Sequence, residues 1–291
     1  MKLLFKFNLI FVLVFLVGIL GSAYVSRELL QRNAQAEILD HARLTMEKAV
    51  AVRTYTSEQI RPLLDTQMKY TFLPQSVPAY SATEVLNQLA KKYPEYSYKE
   101  ATLNPTNPRD RAVDWEVDII TRFRTEADLK EFVGQRDSPN GRLLYVARPL
   151  RIGSPACLIC HSTVDAAPKT LLDRYGPANG FGWQLHEAVG AQIVSVPMAV
   201  PMARAEETFK VFIGSLIGIF LLIGLVLNAM LWALVIRPIT RLSKLADQVS
   251  LGEMEVPEFA AASHDEIGVL AESLARMRRS LEQALKMLET A

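Results

Sequence analysis

The chain has 291 residues, of which 50% are hydrophobic, and a formal net charge of +1. This length allows about two domains, and the near balance of charge gives no reason to expect a nucleic-acid partner. Hydrophobic residues are concentrated in two blocks, and these blocks decide the class of protein.

The first apolar block, residues 9–25, predicts a transmembrane helix within residues 1–25 of about the minimum length for a bilayer. A cleaved signal peptide is the alternative, with Gly21-Ser22-Ala23 as its cleavage site, but the apolar run is longer than in an ordinary signal peptide. The second block, residues 211–236, contains no charged residue and predicts a second transmembrane helix.

Basic residues flank the same side of both blocks. Lys2 and Lys6 precede the first block, and Arg237, Arg241 and Lys244 follow the second. The positive-inside rule therefore predicts a bacterial inner-membrane protein with both termini in the cytoplasm and residues 26–210 in the periplasm.

The segment between the spans predicts an α+β domain. Residues 26–70 lack glycine, have no proline before Pro62 and show loosely helical apolar spacing, which predicts a long helix rising from the membrane. The patterns that follow predict, in chain order, a helix at 82–92, a strand at 96–103, a turn at 104–108, helices at 109–123 and 126–132, a turn at 138–141 that includes Asn140, and strands at 143–152 and 189–196. Helices beside a small antiparallel sheet form an α+β fold.

Cys157-Leu158-Ile159-Cys160-His161 has the spacing of a c-type haem attachment site. Each thiol adds to one vinyl group of the haem, and the following imidazole is carried under the iron as the proximal ligand. A redox dithiol, half of a zinc site or a disulfide are the rival interpretations, but the chain has only 2 cysteines, which excludes a Cys₄ zinc site. Haem attachment also agrees with the predicted periplasmic location.

Beyond the second span, residues 237–291 predict a cytoplasmic pair of amphipathic helices. The first runs to about Gly252 and the second begins near His264. The apolar residues of the second helix include five with the 3-4-3-4 spacing of a coiled-coil seam, namely Ile267, Leu270, Leu274, Met277 and Leu281. Such short helices need a partner chain to bury the seam; an ordinary helical hairpin is the alternative.

Residues 237–289 resemble a HAMP domain. The matching pieces are Arg237-Pro238-Ile239 at the entry, Gly252-Glu253 in the connector and Asp265-Glu266-Ile267-Gly268 at the start of the second helix. HAMP domains form parallel four-helix bundles in homodimers and relay movement of a transmembrane helix to an output domain. The resemblance therefore implies a homodimer.

Roughly residues 45–200 resemble a family of haem-c-binding domains of PAS-like fold found in bacterial membrane sensors. The matching pieces are Asn104-Pro105 with Asn107, the Cys157–His161 motif, Tyr175-Gly176, Gly182-Trp183, and the segment 190–197. The resemblance implies one covalent haem c on Cys157 and Cys160, with His161 as the proximal ligand. Some members use a cysteine of the first helix as the sixth ligand; that position falls at Tyr55 here.

The sixth ligand therefore stays open among five candidates, Tyr55, Met68, His186, Met198 and Met202. Methionine or histidine would close the haem and favour electron exchange, whereas an empty or weakly held position would admit NO, CO or O₂. Arg53, Arg61 and Arg148 could each pair with a haem propionate, because a guanidinium fork fits a carboxylate.

These features predict a non-enzymatic sensor of redox state or of a diatomic gas, whose signal passes through HAMP to an output protein in trans or to a further C-terminal domain. The alternative is a membrane-anchored electron-transfer cytochrome. An electron carrier needs an anchor but has no use for a cytoplasmic relay, and the HAMP-like seam therefore favours the sensor.

Overall fold

The computed structural model describes residues 3–139, 141–253, 255–259 and 265–289. Lys2, Asn140 and His264, on which parts of the sequence analysis rest, lie outside the described residues. The chain folds into two compact units, one formed by Arg27–Thr208 and the other by Met1–Ser26 with Phe209–Ala291.

The elements confirm a mixed helix and sheet fold. The helices are α1 (Leu3–Tyr55), α2 (Arg61–Met68), α3 (Pro78–Lys92), α4 (Asp114–Thr125), α5 (Pro155–His161), α6 (Lys169–Tyr175), α7 (Ala199–Met230), α8 (Arg237–Ser250) and α9 (Glu266–Glu289). The strands are β1 (Ser97–Thr102), β2 (Phe132–Ser138), β3 (Gly141–Arg151) and β4 (Ala188–Pro197).

The four strands form one antiparallel sheet in the order β1-β4-β3-β2. Strand β4 is buried from Ala188 to Val196 because it lies between β1 and β3 and both of its faces are covered. Val194 and Val196 pack in a cluster with Met46 of α1, whereas Ala191 and Ile193 pack with α4 residues, including Ile120 and Phe123. This alternation follows from the two-residue period of a strand.

The predicted helix at 126–132 is wrong. Helix α4 ends at Thr125, and Glu126 has non-helical dihedral angles of φ −105° and ψ 82°. Strand β2 follows and pairs Gly134 with Tyr145 of β3. The sequence of β2 is polar and weakly β-forming, so its pairing depends on β3, and Gly134 leaves the space that the Tyr145 ring fills.

The long helix predicted at 26–70 is present but interrupted. A π-helical segment, Thr56–Ile60, separates α1 from α2, and Pro62 lies in the first turn of α2. The helix predicted at 109–123 begins later, at Asp114, after a short 3₁₀ turn at Pro108–Asp110. Proline is accepted at the start of both elements because its missing N–H would be unpaired there anyway.

Two helical segments, Leu4–Met68 and Ala199–Ser250, are long and apolar enough to cross a membrane, with mean hydropathies of 2.5 and 2.7. Parts of both segments belong to the second unit. Within this unit Phe15 stacks on Phe220 with ring centroids 4.2 Å apart. Asn8 and Asn228 exchange side-chain amide hydrogen bonds of 2.8 and 2.7 Å. The two polar side chains thereby satisfy each other in an apolar environment.

Helices α8 and α9 pack around a small core of their own. Leu242, Leu245 and Val249 of α8 are buried against Ala271 of α9 and Phe259 of the connector. Three of the seam residues of α9 remain exposed within the single chain, namely Leu270, Met277 and Leu281.

Candidate functional site

The cysteine motif forms a short helix, α5, directly after a turn. Ser154 caps it by accepting a hydrogen bond from the Ala156 N–H at 3.2 Å, and Pro155 occupies its first turn. In a helix, residues three and four apart share one face. Cys157, Cys160 and His161 are therefore presented together, and both cysteines are free thiols.

This face lines a cavity of about 760 Å³ in the Arg27–Thr208 unit. Its volume falls within the ~300–1,000 Å³ typical of cofactor and small-molecule sites. The walls come from α1, the π-helical segment, α2, β1, the loop before α4, α5 and α6. Among the lining residues are Arg53, Arg61, Met68, Phe72, Glu100, Asp110, Tyr175 and Trp183.

The imidazole of His161 is held in one orientation. Its Nδ1 lies 2.7 Å from the carbonyl oxygen of Gly180, so Nδ1 carries the proton and donates it. The ring also stacks on Trp183, with centroids 3.9 Å apart and an interplanar angle of 14°. Burial lowers the pKa of His161, although the Gly180 carbonyl opposes this. Nε2 is left unprotonated, which is the form that binds iron.

The Cys160 thiol lies partly buried beside Arg61. Burial raises the pKa of Cys160, and the positive charge of Arg61 partly opposes this effect. Cys160 also packs in a small apolar cluster with Phe72 and Leu171. Within the described part of the chain, Arg61 forms no salt bridge or hydrogen bond, so it is available to an anion in the cavity.

Arg53 and Glu100 of the cavity wall belong to a polar network that extends into the core behind them. Arg53 of α1 forms an ion pair with Glu100 of β1. Tyr98 donates a 2.7 Å hydrogen bond to Glu100, and Gln192 of β4 donates a 3.1 Å hydrogen bond to Tyr98. Burial would lower the pKa of Arg53, but the Glu100 carboxylate raises it, so this guanidinium remains charged.

Asp110 is another carboxyl group on the wall, and its side chain is 21% exposed. Its Oδ1 lies 3.5 Å from Nε of Arg109, whose guanidinium also pairs with Glu84. Burial raises the pKa of Asp110 to about 6, against the opposing charge of Arg109.

The structure brings only some of the sequence-predicted residues to the cavity. Cys157, Cys160, His161, Arg53, Arg61 and Met68 line it. The Met68 sulfur accepts hydrogen bonds from the Leu73 N–H at 3.1 Å and from the Ser76 hydroxyl at 3.3 Å.

The other candidates lie elsewhere. Arg148 pairs with Glu47 and Glu131, so it holds α1 to the loop before β2 and is not a cavity residue. Tyr55 is 53% exposed and does not line the cavity. His186 lies exposed in a turn with a positive φ of 67°. Met198 and Met202 pack against the sheet core.

Sequence reasoning missed Glu100, Asp110 and Gly180. Glu100 sits in a strand-like run in which a buried charge is unexpected, and Asp110 was placed inside a helix. The Gly180 carbonyl is a backbone group and gives no side-chain signal. Only the glycine itself, which has φ +90°, marks an unusual backbone position there.

The residues present fit a haem. Two free thiols and one imidazole with a fixed tautomer share one face, apolar side chains line the cavity, and arginines Arg53 and Arg61 stand on its wall. Thioether bonds, an axial nitrogen and cationic partners for two propionates are the contacts that such a group requires.

The fold, the side chains of the Cys157–His161 motif and the helix pair α8 and α9 together define a class of protein. It is a haem-protein-like domain joined to a signal-transducing module. The family profile described as Tll0287-like, Tll0287, matches residues 31–197, and the HAMP domain profile matches residues 230–283. The first match spans more than half of the chain, so the chain belongs to the Tll0287-like family and carries a HAMP domain after it. Both resemblances inferred from the sequence are thus confirmed.

One solved structure is similar, titled as the crystal structure of the cyanobacterial heme-protein Tll0287. It is 13% identical, the match covers 56% of this chain and 94% of that chain, and the TM-score is 0.41. A comparison with curated proteins finds no match.

Proposed function

We propose that the protein is a transmembrane haem-c sensor of redox state or of a diatomic gas, NO, CO or O₂. In this proposal the thiols of Cys157 and Cys160 attach one haem covalently, and Nε2 of His161 is the proximal ligand. Bound in the cavity, the haem supplies redox chemistry and a place for an exogenous ligand. The observation that carries the proposal is the convergence of both thiols and the oriented imidazole on one cavity.

The distal side of the cavity supports a ligand site that can change. Of the five sixth-ligand candidates, Met68 alone lines the cavity, and its sulfur already accepts two hydrogen bonds. Because these bonds compete for the sulfur lone pairs, Met68 would be a weakly held ligand. A weakly held ligand is readily displaced by a diatomic molecule or by a change of oxidation state.

Residues of the cavity wall also contact the elements that lead to the two apolar spans. Arg53 belongs to α1, which contains the first apolar span, whereas Gln192 belongs to β4, whose end leads into α7. The Arg53–Glu100–Tyr98–Gln192 network therefore connects the cavity wall to α1 and to β4, the strand that precedes α7. To be effective, the signal has to favour one HAMP packing over the other by a few kcal/mol.

The remaining architecture belongs to the same proposal. Residues 1–25 and 211–236 span the inner membrane, residues 26–210 lie in the periplasm, and residues 237–291 form a cytoplasmic relay. The exposed seam residues Leu270, Met277 and Leu281 support a homodimer, since a second copy would cover them. The relay then acts on an output protein in trans or on a further domain.

The signalling step can be tested by pairing spectroscopy with crosslinking. Both native thiols are used by haem, so Leu270→Cys introduces the reactive thiol, and its neighbour Val269→Cys, which is 61% exposed, is the off-seam control. We expect reduction, or NO or CO on the reduced protein, to change both the absorption spectrum and the rate of Leu270→Cys crosslinking. A changed spectrum with an unchanged rate would favour the electron-transfer cytochrome.

Topology requires a separate experiment. Single cysteines at Ser138→Cys and Ser243→Cys are labelled in intact cells and in inverted vesicles with a membrane-impermeant maleimide. We expect Ser138→Cys to react from outside and Ser243→Cys from inside. Reaction of both sites from the same side would contradict the arrangement.

A further inference from the structure

We propose that Asp110 is the proton acceptor coupled to one-electron reduction of the haem, so that the sensor responds to redox potential and pH together. This inference rests on the proposed function, because it concerns the regulation of the same site. It assigns a role to a carboxyl group that haem attachment itself does not use.

Geometry distinguishes the partly buried Asp110 from Glu100, which is buried on the same wall. Glu100 is compensated twice, by its ion pair with Arg53 and by the Tyr98 hydroxyl at 2.7 Å. Asp110 lies 3.5 Å from Arg109, and that guanidinium is shared with Glu84 and lies 4.7 Å from the centre of the Tyr80 ring. A carboxylate with less compensation keeps a higher pKa, so a new negative charge in the cavity can protonate it near neutral pH.

The charges that face Asp110 come from several elements. Arg109 is its neighbour on the same 3₁₀ turn, and Lys99 and Glu100 act on it from β1. Lys99 is itself paired with Glu116 at 2.6 Å, so it is only partly free to compensate Asp110. The other charged groups that line the cavity are Arg53, Glu58, Arg61 and Arg151.

The ionisation range of Asp110 suits such a role. Burial raises its pKa to about 6, with Arg109 as the main opposing influence. An aspartate of ordinary pKa, about 4, would stay ionised in both redox states at neutral pH. With the higher value, the addition of one electron nearby moves protonation into the physiological range.

The coupled step would need a one-electron reductant, in the experiment a reduced mediator dye, as the source of the electron. The Asp110 carboxylate would take up one proton from hydronium or a buffer acid in the solvent, forming its O–H bond and leaving water or the buffer base. The net charge inside the cavity is then unchanged. Because the added electron favours the protonated carboxyl group, the pKa of Asp110 is higher in the reduced protein than in the oxidised protein. The midpoint potential therefore falls as pH rises between these two pKa values.

The test is a spectroelectrochemical titration of the full-length, haem-loaded protein between pH 4.5 and pH 8. Full coupling changes the redox equilibrium up to tenfold per pH unit, which is about 59 mV for one electron. We expect a clear slope in the wild type and a flat profile in Asp110→Asn, lying near the wild-type value at low pH. Asp110→Glu should restore a slope, and the exposed Asp118→Asn on α4 should keep the wild-type profile.

The possible results distinguish a failure of the proton coupling at Asp110 from a failure of the proposed sensor function. An unchanged slope in Asp110→Asn would overturn the coupling and assign the proton to another group, such as a haem propionate, while leaving the sensor proposal intact. A wild-type potential independent of pH would also overturn it. Absence of covalent haem in the wild type would overturn the proposed function and this inference together.

Discussion

Nδ1 of His161 and the carbonyl oxygen of Gly180 are 2.7 Å apart, joined by a hydrogen bond that fixes the histidine tautomer. The acceptor lies in a backbone with φ +90°, and a side chain at Gly180 would collide with Thr106. One glycine therefore determines where the imidazole points, although it lies 19 residues along the chain. Orientation of a metal-binding histidine through its second nitrogen is a general requirement of such sites.

Two glycine variants test whether the Gly180 backbone orients His161. Gly180→Ala and Gly182→Ala both place alanine at positive φ, but nothing lies within 4 Å of the new methyl group at Gly182. We expect Gly180→Ala to lower the free energy of unfolding further, by about 1–3 kcal/mol, because of overpacking against Thr106. It should also shift the haem midpoint potential. Equal effects of both variants on stability and potential would argue against the orienting role.

Covalent attachment of haem gives a second prediction. After denaturing electrophoresis, the wild type should retain haem-dependent peroxidase staining, and Cys157→Ala/Cys160→Ala should lose it, because a thioether bond survives denaturation. Ser162→Ala, directly after the motif, is the matched control and should keep the stain. Complete extraction of haem from the wild type by acidified solvent would show that no thioether bond exists.

The buried ion pair predicts unequal costs for two glutamate substitutions. Glu100→Ala leaves Arg53 without its partner in the cavity wall, and we expect a loss on the order of 3 kcal/mol in the free energy of unfolding. Glu126→Ala removes an exposed partner of Arg122, with both side chains about half exposed, and should cost under about 1 kcal/mol. Urea unfolding followed by near-UV circular dichroism measures both. Similar losses would mean that the Arg53–Glu100 pair contributes no more than a surface pair.

The pKa of Asp110 predicts how stability depends on pH. Its folded-state pKa, about 6, lies above the ordinary value of 3.8, so folding favours its protonated form. The stabilisation is present below pH about 4 and is lost as pH rises through about 6, where ionisation in a partly buried site costs free energy. Asp110→Asn should thus be more stable than the wild type at pH 7, by on the order of 2 kcal/mol, after allowance for partial exposure.

The difference between Asp110→Asn and the wild type should shrink as the pH is lowered and disappear near pH 4, where both side chains are neutral. Thermal unfolding at a series of pH values measures it, with Asp118→Asn as the exposed control. A constant difference across this range would show that packing, rather than ionisation, separates the two proteins.

The sequence was sufficient to predict a haem-protein-like domain followed by a HAMP domain. The Cys157–His161 spacing, the two uncharged apolar blocks and the heptad spacing of α9 are local patterns, and each is visible without knowledge of distant contacts. Three of the four strands were predicted for the same reason, because their β-branched or alternating residues favour strands wherever they pair. The polar strand β2 was not predicted, because only its pairing with β3 makes it a strand.

Tertiary structure alone decided which residues surround the donor group. Met68 reaches the cavity, whereas Tyr55, Arg148 and His186 do not, although all were reasonable candidates by residue type. Glu100 and Asp110 were absent from the predicted site because their role depends on burial, and burial results from contacts between segments far apart in the chain. The sequence specifies the type of each side chain, whereas packing determines its neighbours, its charge compensation and its pKa.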